Sequence, residues 1–248
     1  MTYGVTTGQR PVRAEPSPKR IRVYLGGEVV ADTIRALLVW ESRGYPVYYV
    51  PADDVDKSLL VPDQETARSE LLGVAEKFTV KAGSALAPGA AEQYNESPVE
   101  ELRDYIRFEW NAMDAWFEED EEIFVHPRDP HARIDVLPSS RHVRFELDGV
   151  TVAESRSPRL LFETGLPARY YVSKLDVRMD LLVPSDTVTQ CPYKGTAHYW
   201  SVQIGDRLHK DVVWSYRTTP PESQKIASLM AFWKADIYVD GVLQQNSF

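Results

Sequence analysis

The sequence predicts a mainly β protein made of two tandem antiparallel β domains with short helices. Three observations carry that reading. A long stretch of chain recurs farther on, short apolar segments alternate with polar residues in both copies, and Asp-Gly or Gly-Gly pairs fall where two-residue hairpin turns are needed. The recurrence is direct. "RVYLGGEVVADTIRALLVWESRGYPVYYVPADDVDKSLLVP" (22–62) lies over "RFELDGVTVAESRSPRLLFETGLPARYYVSKLDVRMDLLVP" (144–184) without a gap, with about 16 identities in about 41 pairs at an offset of about 122 residues. The offset continues, setting Gly73 on Gly195, Ala75 on Ala197, Phe78 on Trp200, Tyr94 on Tyr216 and Pro98 on Pro220.

Residues 1–18 are rich in proline and read as a disordered leader, with Arg10, Arg13, Lys19, Arg20 and Arg22 forming a small solvated basic patch in and beside it. The first unit spans 19–125. Gly26-Gly27 is its first hairpin turn, "LLVWE" and "VYYV" pair across "SRGYP", and short helical stretches fit 53–60 and the neighbourhood of Pro98. The acidic run "FEEDEE" (117–122) falls over the "VDGVLQ" hairpin of the second copy and is a solvated hairpin tip rather than a metal site. Prolines and charges in 126–140 mark a linker, in which His126 and His131 are surface residues. The second unit, 141–248, repeats the plan with turns at Asp148-Gly149 and Asp240-Gly241, a hairpin of "RLLFE" with "ARYYV", and helical stretches at 175–182 and near Pro220.

Composition removes several function classes. A formal net charge of −9 and a pI near 5.1 oppose non-specific nucleic-acid binding, which needs clustered Lys and Arg. No apolar run approaches the roughly 18 residues that cross a bilayer, and no signal-peptide pattern opens the chain, so a cytoplasmic protein without membrane association is expected. The single cysteine forbids an intrachain disulfide and any zinc site built on paired thiolates. The five histidines form no metal motif, Ser201 and Ser215 sit in no Gly-x-Ser-x-Gly elbow, and no cofactor motif is present. The sequence leaves the oligomeric state open.

"RVYLGGEVVADTIRALLVWE…YYVPADDV" and "YYVSKLDVRMDLLVPSDTVTQCPYKGTAHYWSV…DVVWSY…MAFW…IYVDG" resemble the bacterial domain-of-unknown-function 427 family, sometimes labelled nucleotidyltransferase-like. The resemblance covers nearly all of the chain after about residue 19 as two copies, and Cys-Pro-Tyr-Lys-Gly followed by Tyr-Trp-Ser is its most specific part. It implies a compact antiparallel β fold, a tent or small open barrel similar to certain zinc-binding chaperone-like and sulfoxide-reductase domains. Those domains carry paired-cysteine zinc sites, which this sequence lacks. Nucleotidyl transfer would require paired carboxylates on magnesium beside a Gly-rich phosphate loop, and the sequence has no such constellation.

The candidate site is "CPYKG". Pro192 holds Cys191 extended and Gly195 supplies a positive φ, so the segment is a hairpin turn that brings Cys191 and Lys194 together. A nearby ammonium favours a thiolate, whereas a lone cysteine can equally be a small buried side chain. The first unit has Ser69, Glu70, Leu71 and Leu72 in place of Cys, Pro, Tyr and Lys, so the site is expected in the second unit alone. Beyond the turn, alternation sets Ala197, Tyr199 and Ser201 on a face that lines a pocket, and Thr196, His198, Trp200 and Val202 on the core face; a Cys191–His198 dyad is a minor alternative. Glu41 and Glu163 end matching strands and need partners, which the repeated Arg22 and Arg144 could supply, unless the carboxylate instead anchors a ligand in a cavity. The leading expectation is a small organic ligand bound in the second unit by Cys191, Tyr193, Lys194, Tyr199 and Glu163, with Ser201 and Arg144 beside them. The alternatives are a thiol-dependent enzyme, with Cys191 as nucleophile and Lys194 tuning it or holding an anionic substrate, and a structural or partner-binding module with no small-molecule site.

Overall fold

The turn chemistry read from the sequence is what organises the chain. Gly26-Gly27, Asp148-Gly149 and Asp240-Gly241 each place two consecutive residues at positive φ, the conformation that lets a two-residue turn follow the right-handed twist of its flanking strands. A computed structural model describes residues 12–41 and 44–244. They divide into two compact units, 1–129 and 130–248.

In the first unit the strands are β1 (Arg13–Pro16), β2 (Ile21–Leu25), β3 (Glu28–Thr33), β4 (Leu37–Trp40), β5 (Val47–Pro51), β6 (Leu60–Ser69), β7 (Gly73–Ala82), β8 (Ala85–Gln93), β9 (Tyr105–Phe108), β10 (Ala115–Glu118) and β11 (Glu121–Ile123). In the second they are β12 (Ile134–Pro138), β13 (Val143–Leu147), β14 (Val150–Ser155), β15 (Arg159–Glu163), β16 (Arg169–Tyr171), β17 (Leu182–Cys191), β18 (Gly195–Ile204), β19 (Arg207–Tyr216), β20 (Met230–Phe232), β21 (Asp236–Val239) and β22 (Val242–Leu243). The two sets match strand for strand, and every pairing is antiparallel. The long sheet of the first unit runs β1-β4-β5-β9-β8-β7-β6. In the second unit the same order is broken after β16, giving β12-β15-β16 and β17-β18-β19-β20, with one bridge between Val172 and Met230 across the break. The short sheets, β11-β10-β2-β3 and β22-β21-β13-β14, also correspond. Among the described residues all the sheets are open and the class is mainly β. The helical stretches expected from the sequence are short 3-10 segments, among them the single turns Ala52–Asp54, Lys57–Leu59, Lys174–Asp176, Met179–Leu181 and Glu100–Leu102 and the six-residue Pro221–Ile226. No helix among the described residues is long and apolar enough to cross a membrane.

Several expectations need correction. Residues 13–16 of the expected leader are an edge strand, and 134–138 of the expected linker are its counterpart. Their prolines stand at the ends of edge strands, where a missing N–H costs no ladder bond. Residues 1–11, including Arg10, lie outside the described residues. The other basic residues of the supposed tail are paired in the fold. Arg13 lies 3.8 Å over the Trp40 ring, Lys19 bonds Glu118, Arg20 meets Asp32 and Arg22 meets Asp120. His126 is buried, its Nδ1 2.7 Å from the Pro127 carbonyl and its ring stacked on Tyr45, rather than a surface residue. The acidic run does form a hairpin tip at Glu119-Asp120, yet Glu118 beside it is buried and accepts from Tyr48 Oη at 2.8 Å.

Each unit has two apolar clusters. One contains Ile21, Val23, Tyr48 and Phe108, or Phe145, Val202, Val213 and Phe232 in the second unit. The other contains Val39, Tyr49, Ala75 and Tyr94, or Leu161, Tyr171, Ala197, Trp214 and Tyr216. Apolar residues thus cover both faces of β18, with Trp200 against one cluster and Tyr199 against the other. The Tyr199 face, expected to line a pocket, packs against an apolar cluster as well.

Candidate functional site

β17 and β18 are joined at Cys191 and Gly195, which are register partners, with Lys194 N–H donating to the Cys191 carbonyl at 3.3 Å and Gly195 at φ +89°. Ala197 pairs with Tyr216 and Tyr199 with Trp214 on β19, so Cys191, Ala197, Tyr199, Trp214 and Tyr216 all face the same cluster. His198 points to the opposite side, which removes the Cys191–His198 dyad.

Lys194 does not remain beside the thiol as an isolated charge. Its ammonium bonds Glu163 at the end of β15, and both side chains are nearly buried, 12% and 11% exposed. The ammonium is therefore matched by a carboxylate, and its influence on Cys191 is correspondingly reduced. This also corrects the partner expected for Glu163. Arg144 lies on β13 over the Tyr238 ring and beside Glu146, and Arg22 is bonded to the Glu119 carbonyl and Asp120, so neither repeated arginine reaches its unit's strand-ending glutamate.

Around Lys194 and Glu163 lie residues that sequence reasoning did not assign to the site. Tyr171 lies edge-on to Trp214, ring centroids 6.3 Å apart, and burial raises the Tyr171 pKa well above the ordinary tyrosine value. Tyr216 is only 6% exposed. Its pKa is likewise pushed up, first by burial and then by Tyr171, Cys191, Tyr199 and Glu163, all close enough to act on its hydroxyl. Among the described residues that hydroxyl has no hydrogen-bond partner. The Tyr199 hydroxyl is 3.0 Å from Thr189 Oγ1. Arg169 is half-buried over Trp233, and burial lowers its pKa.

The first unit provides the contrast. Tyr49 and Tyr94 stand where Tyr171 and Tyr216 do, and Glu41 stands where Glu163 does. Here Tyr49 Oη donates to Glu41 at 2.9 Å and Tyr94 Oη donates to Glu92 at 2.9 Å. Arg107 on β9 lies 3.5 Å from Glu41 and 3.4 Å from Glu92. Burial pulls the Arg107 pKa down, but the two carboxylates outweigh it and the net shift is upward. Leu72, fully buried, takes the place of Lys194. Arg107 pairs in register with Tyr49 and Glu92; Ala231 pairs with Trp214 in the same way, so alanine replaces arginine and tryptophan replaces glutamate in the second unit. The carboxylate and both tyrosines persist in the two copies, while the cation moves from β9 to the β17–β18 turn. The first-unit cluster satisfies its own hydroxyls and the second does not. The cluster is therefore common to both units rather than confined to the second, and only its unsatisfied form is confined there.

A family profile described as "Domain of unknown function (DUF427)" matches residues 13–119 and 135–245. The chain belongs to the DUF427 family. No curated protein matches it significantly. Both DUF427 matches begin at the edge strands β1 and β12, in agreement with the structural boundaries.

The remaining candidates lie apart from this cluster in the second DUF427 copy. Ser201 lines an open groove of about 540 Å³ at the bulged part of β17–β19, with Pro184, Ser185, Thr187, Lys210 and Asp211. There its Oγ accepts from the Asp211 N–H at 3.2 Å, and hydrogen bonds from Ser185 and Thr187 hold the Asp211 carboxyl below its ordinary pKa. The Tyr193 carbonyl accepts from Ser223 Oγ at 2.7 Å, which fixes the turn from behind. The structure thus brings together Glu163, Lys194, Cys191 and Tyr199 but not Arg144 or Ser201. The signal that could have found Tyr171 and Tyr216 was present in the repeat, because both are identities between the copies.

Proposed function

We propose that this DUF427 tandem binds a small organic molecule in its second unit, at the cluster formed by Tyr171, Cys191, Lys194, Glu163, Tyr199 and Tyr216. The observation that carries the reading is the unpartnered Tyr216 hydroxyl. In the first unit the equivalent Tyr94 hydroxyl donates to Glu92, whereas Trp214 holds that position in the second, so a ligand acceptor would supply a bond worth about 0.5–1.5 kcal/mol that the chain itself does not. The sister cluster in the first unit supports the reading, since Glu92 makes that bond there and leaves nothing for a ligand to complete. Aromatic and aliphatic walls from Trp214, Leu161 and Ile226 suit an organic body behind a polar group. Thermal-shift screening of metabolites against the full chain tests it. Hits should lose most of their shift in Tyr216→Phe and Lys194→Ala while keeping it in Tyr94→Phe. Hits indifferent to the first two substitutions would place the binding elsewhere.

A further inference from the structure

We propose that the groove beside Ser201 is a second binding site, for a neutral polyol whose vicinal hydroxyls donate to the Asp211 carboxylate and accept from the Ser201 hydroxyl. It is separate from the Tyr216 cluster and does not rest on the binding reading above. The sheet opens here on both sides of one strand. The ladder of β18 is interrupted between Pro184 and Val188 on β17 and between His209 and Val213 on β19, and the groove of about 540 Å³ lies where these two bulges meet it. Thr187 Oγ1 donates to the Asp211 carboxylate at 2.9 Å, and the Asp211 N–H donates to Ser201 Oγ at 3.2 Å. Ser201 is only 6% exposed, and its own hydroxyl proton has no acceptor among the described residues. Asp211 holds φ +55°, a left-handed conformation that favours glycine, so its carboxylate stands at the groove against the preference of its backbone. Hydrogen bonds from Ser185 and Thr187 keep that carboxyl below its ordinary pKa, so it is ionised at neutral pH and retains lone pairs for a further donor.

The first unit has the same double bulge, around β7 between Pro62 and Thr66 and between Ala87 and Ala91, and completes it from within. There Thr79 holds the Ser201 position, accepts from the Gly89 N–H at 3.3 Å and gives its proton to Asp63 at 2.8 Å. Gly89, at φ +60°, holds the Asp211 position, and the Lys77 ammonium lies 2.8 Å from where a Cβ on Gly89 would stand. In the second unit Ser185 replaces Asp63 and Tyr199 replaces Lys77, and the Tyr199 hydroxyl is turned to Thr189. The serine proton has thus lost its acceptor, the lysine has left the space, and a carboxylate has arrived on β19. These exchanges select the ligand class. A vicinal diol has an oxygen to accept from Ser201 and a neighbouring proton to give to Asp211. An ammonium would leave the Ser201 proton unmet, and an anion would face the two lining carboxylates, Asp186 and Asp211, with one ammonium, Lys210. Val183 and Leu208, each 41% exposed at the groove, give an apolar surface for the C–H face of a sugar ring.

The test follows the backbone amides of the full chain by NMR at pH 7 during titration with glucose, ribose and myo-inositol, beside glucosamine as a cation and glucuronate as an anion. At least one neutral polyol should shift the Ser201 and Asp211 amides to saturation. Its Kd should rise about tenfold or more in both Asp211→Gly and Ser201→Ala and stay unchanged in Tyr216→Phe. Asp211→Gly installs the residue of the sister copy, which suits the positive φ, so weakened binding there does not reflect a lost fold; the dispersion of each variant's spectrum checks this. Shifts that drift without saturating, or an affinity untouched by Asp211→Gly, overturn the site. Binding of glucosamine or glucuronate about tenfold tighter than glucose overturns the neutral-polyol class. Equal weakening in Tyr216→Phe overturns the separation of the groove from the Tyr216 cluster.

Discussion

At the scale of single residues, the two copies make the cost of an unmet hydrogen bond measurable within one chain. Tyr94 Oη donates to Glu92, so Tyr94→Phe removes a bond to a charged acceptor and is expected to cost about 2 kcal/mol. Tyr216→Phe removes a hydroxyl with no partner among the described residues and is expected to change stability by no more than about 0.5 kcal/mol. Urea midpoints of the two variants check this, and a larger loss for Tyr216→Phe would be contrary to it. Asp54 provides a pH dependence. The Arg35 guanidinium hydrogen-bonded to it, helped by the Thr33 hydroxyl at 2.6 Å, holds its carboxyl below the ordinary aspartate value despite burial. Because the folded value is the lower one, its stabilisation is fully present above the unfolded pKa near 4 and disappears as pH falls through the folded value. Asp54→Asn should therefore cost about 1 kcal/mol at pH 7 and progressively less toward pH 3, measured by denaturant unfolding across that range. Which residues matter at this scale was only half legible in the sequence. Glu163 and Lys194 were each visible as candidates, but their pairing depends on β15 lying beside the turn after β17. Nothing local in the sequence distinguishes Lys194 from Arg144 as the partner of Glu163.

At the scale of elements, the hairpins were the most legible feature, because a residue pair such as Asp148-Gly149 carries its own turn geometry. The Cys191–Gly195 turn was equally legible, and its glycine is the more tightly constrained of the repeated pair. A Cβ on Gly195 would stand 2.8 Å from the Thr218 carbonyl oxygen, whereas at Gly73 the nearest atom is Pro98 Cδ at 3.6 Å. Both have positive φ, which alone costs an alanine about 1–2 kcal/mol. Gly195→Ala should thus destabilise by about 3 kcal/mol or more and Gly73→Ala by about 1–2 kcal/mol, compared by thermal melting of the two variants. Two elements escaped sequence reading for identifiable reasons. β1 and β12 are short edge strands ended by Pro16 and Pro138, which look like leader and linker until their pairing with β4 and β15 is seen. The equivalence of Arg107 and Ala231 was hidden because the second copy has extra residues between Pro220 and β20, so a constant offset misaligns β9 with β20.

At the scale of the whole molecule, every apolar cluster draws its members from one unit. A fragment of residues 130–248 is therefore expected to fold alone, with a cooperative melt and the same ligand-induced thermal shift as the full chain. A fragment that melts without a transition would show that the second unit depends on the first. The tandem plan was legible from the repeat, whereas the division of roles between the copies was not, since it rests on Glu92 against Trp214 and on Arg107 against Ala231. That exchange has a practical consequence. Trp214 lies in the second-unit cluster, while Trp110 and Trp116 are stacked on each other at 4.5 Å in the first unit, far along the chain from any residue of the proposed site. With the indoles labelled by fluorine, one resonance would report occupancy and the stacked pair would act as a silent reference in the same tube. Duplication has left this protein with its own blank, so a spectrum of one sample separates a ligand's specific effect from a change in solvent, temperature or concentration.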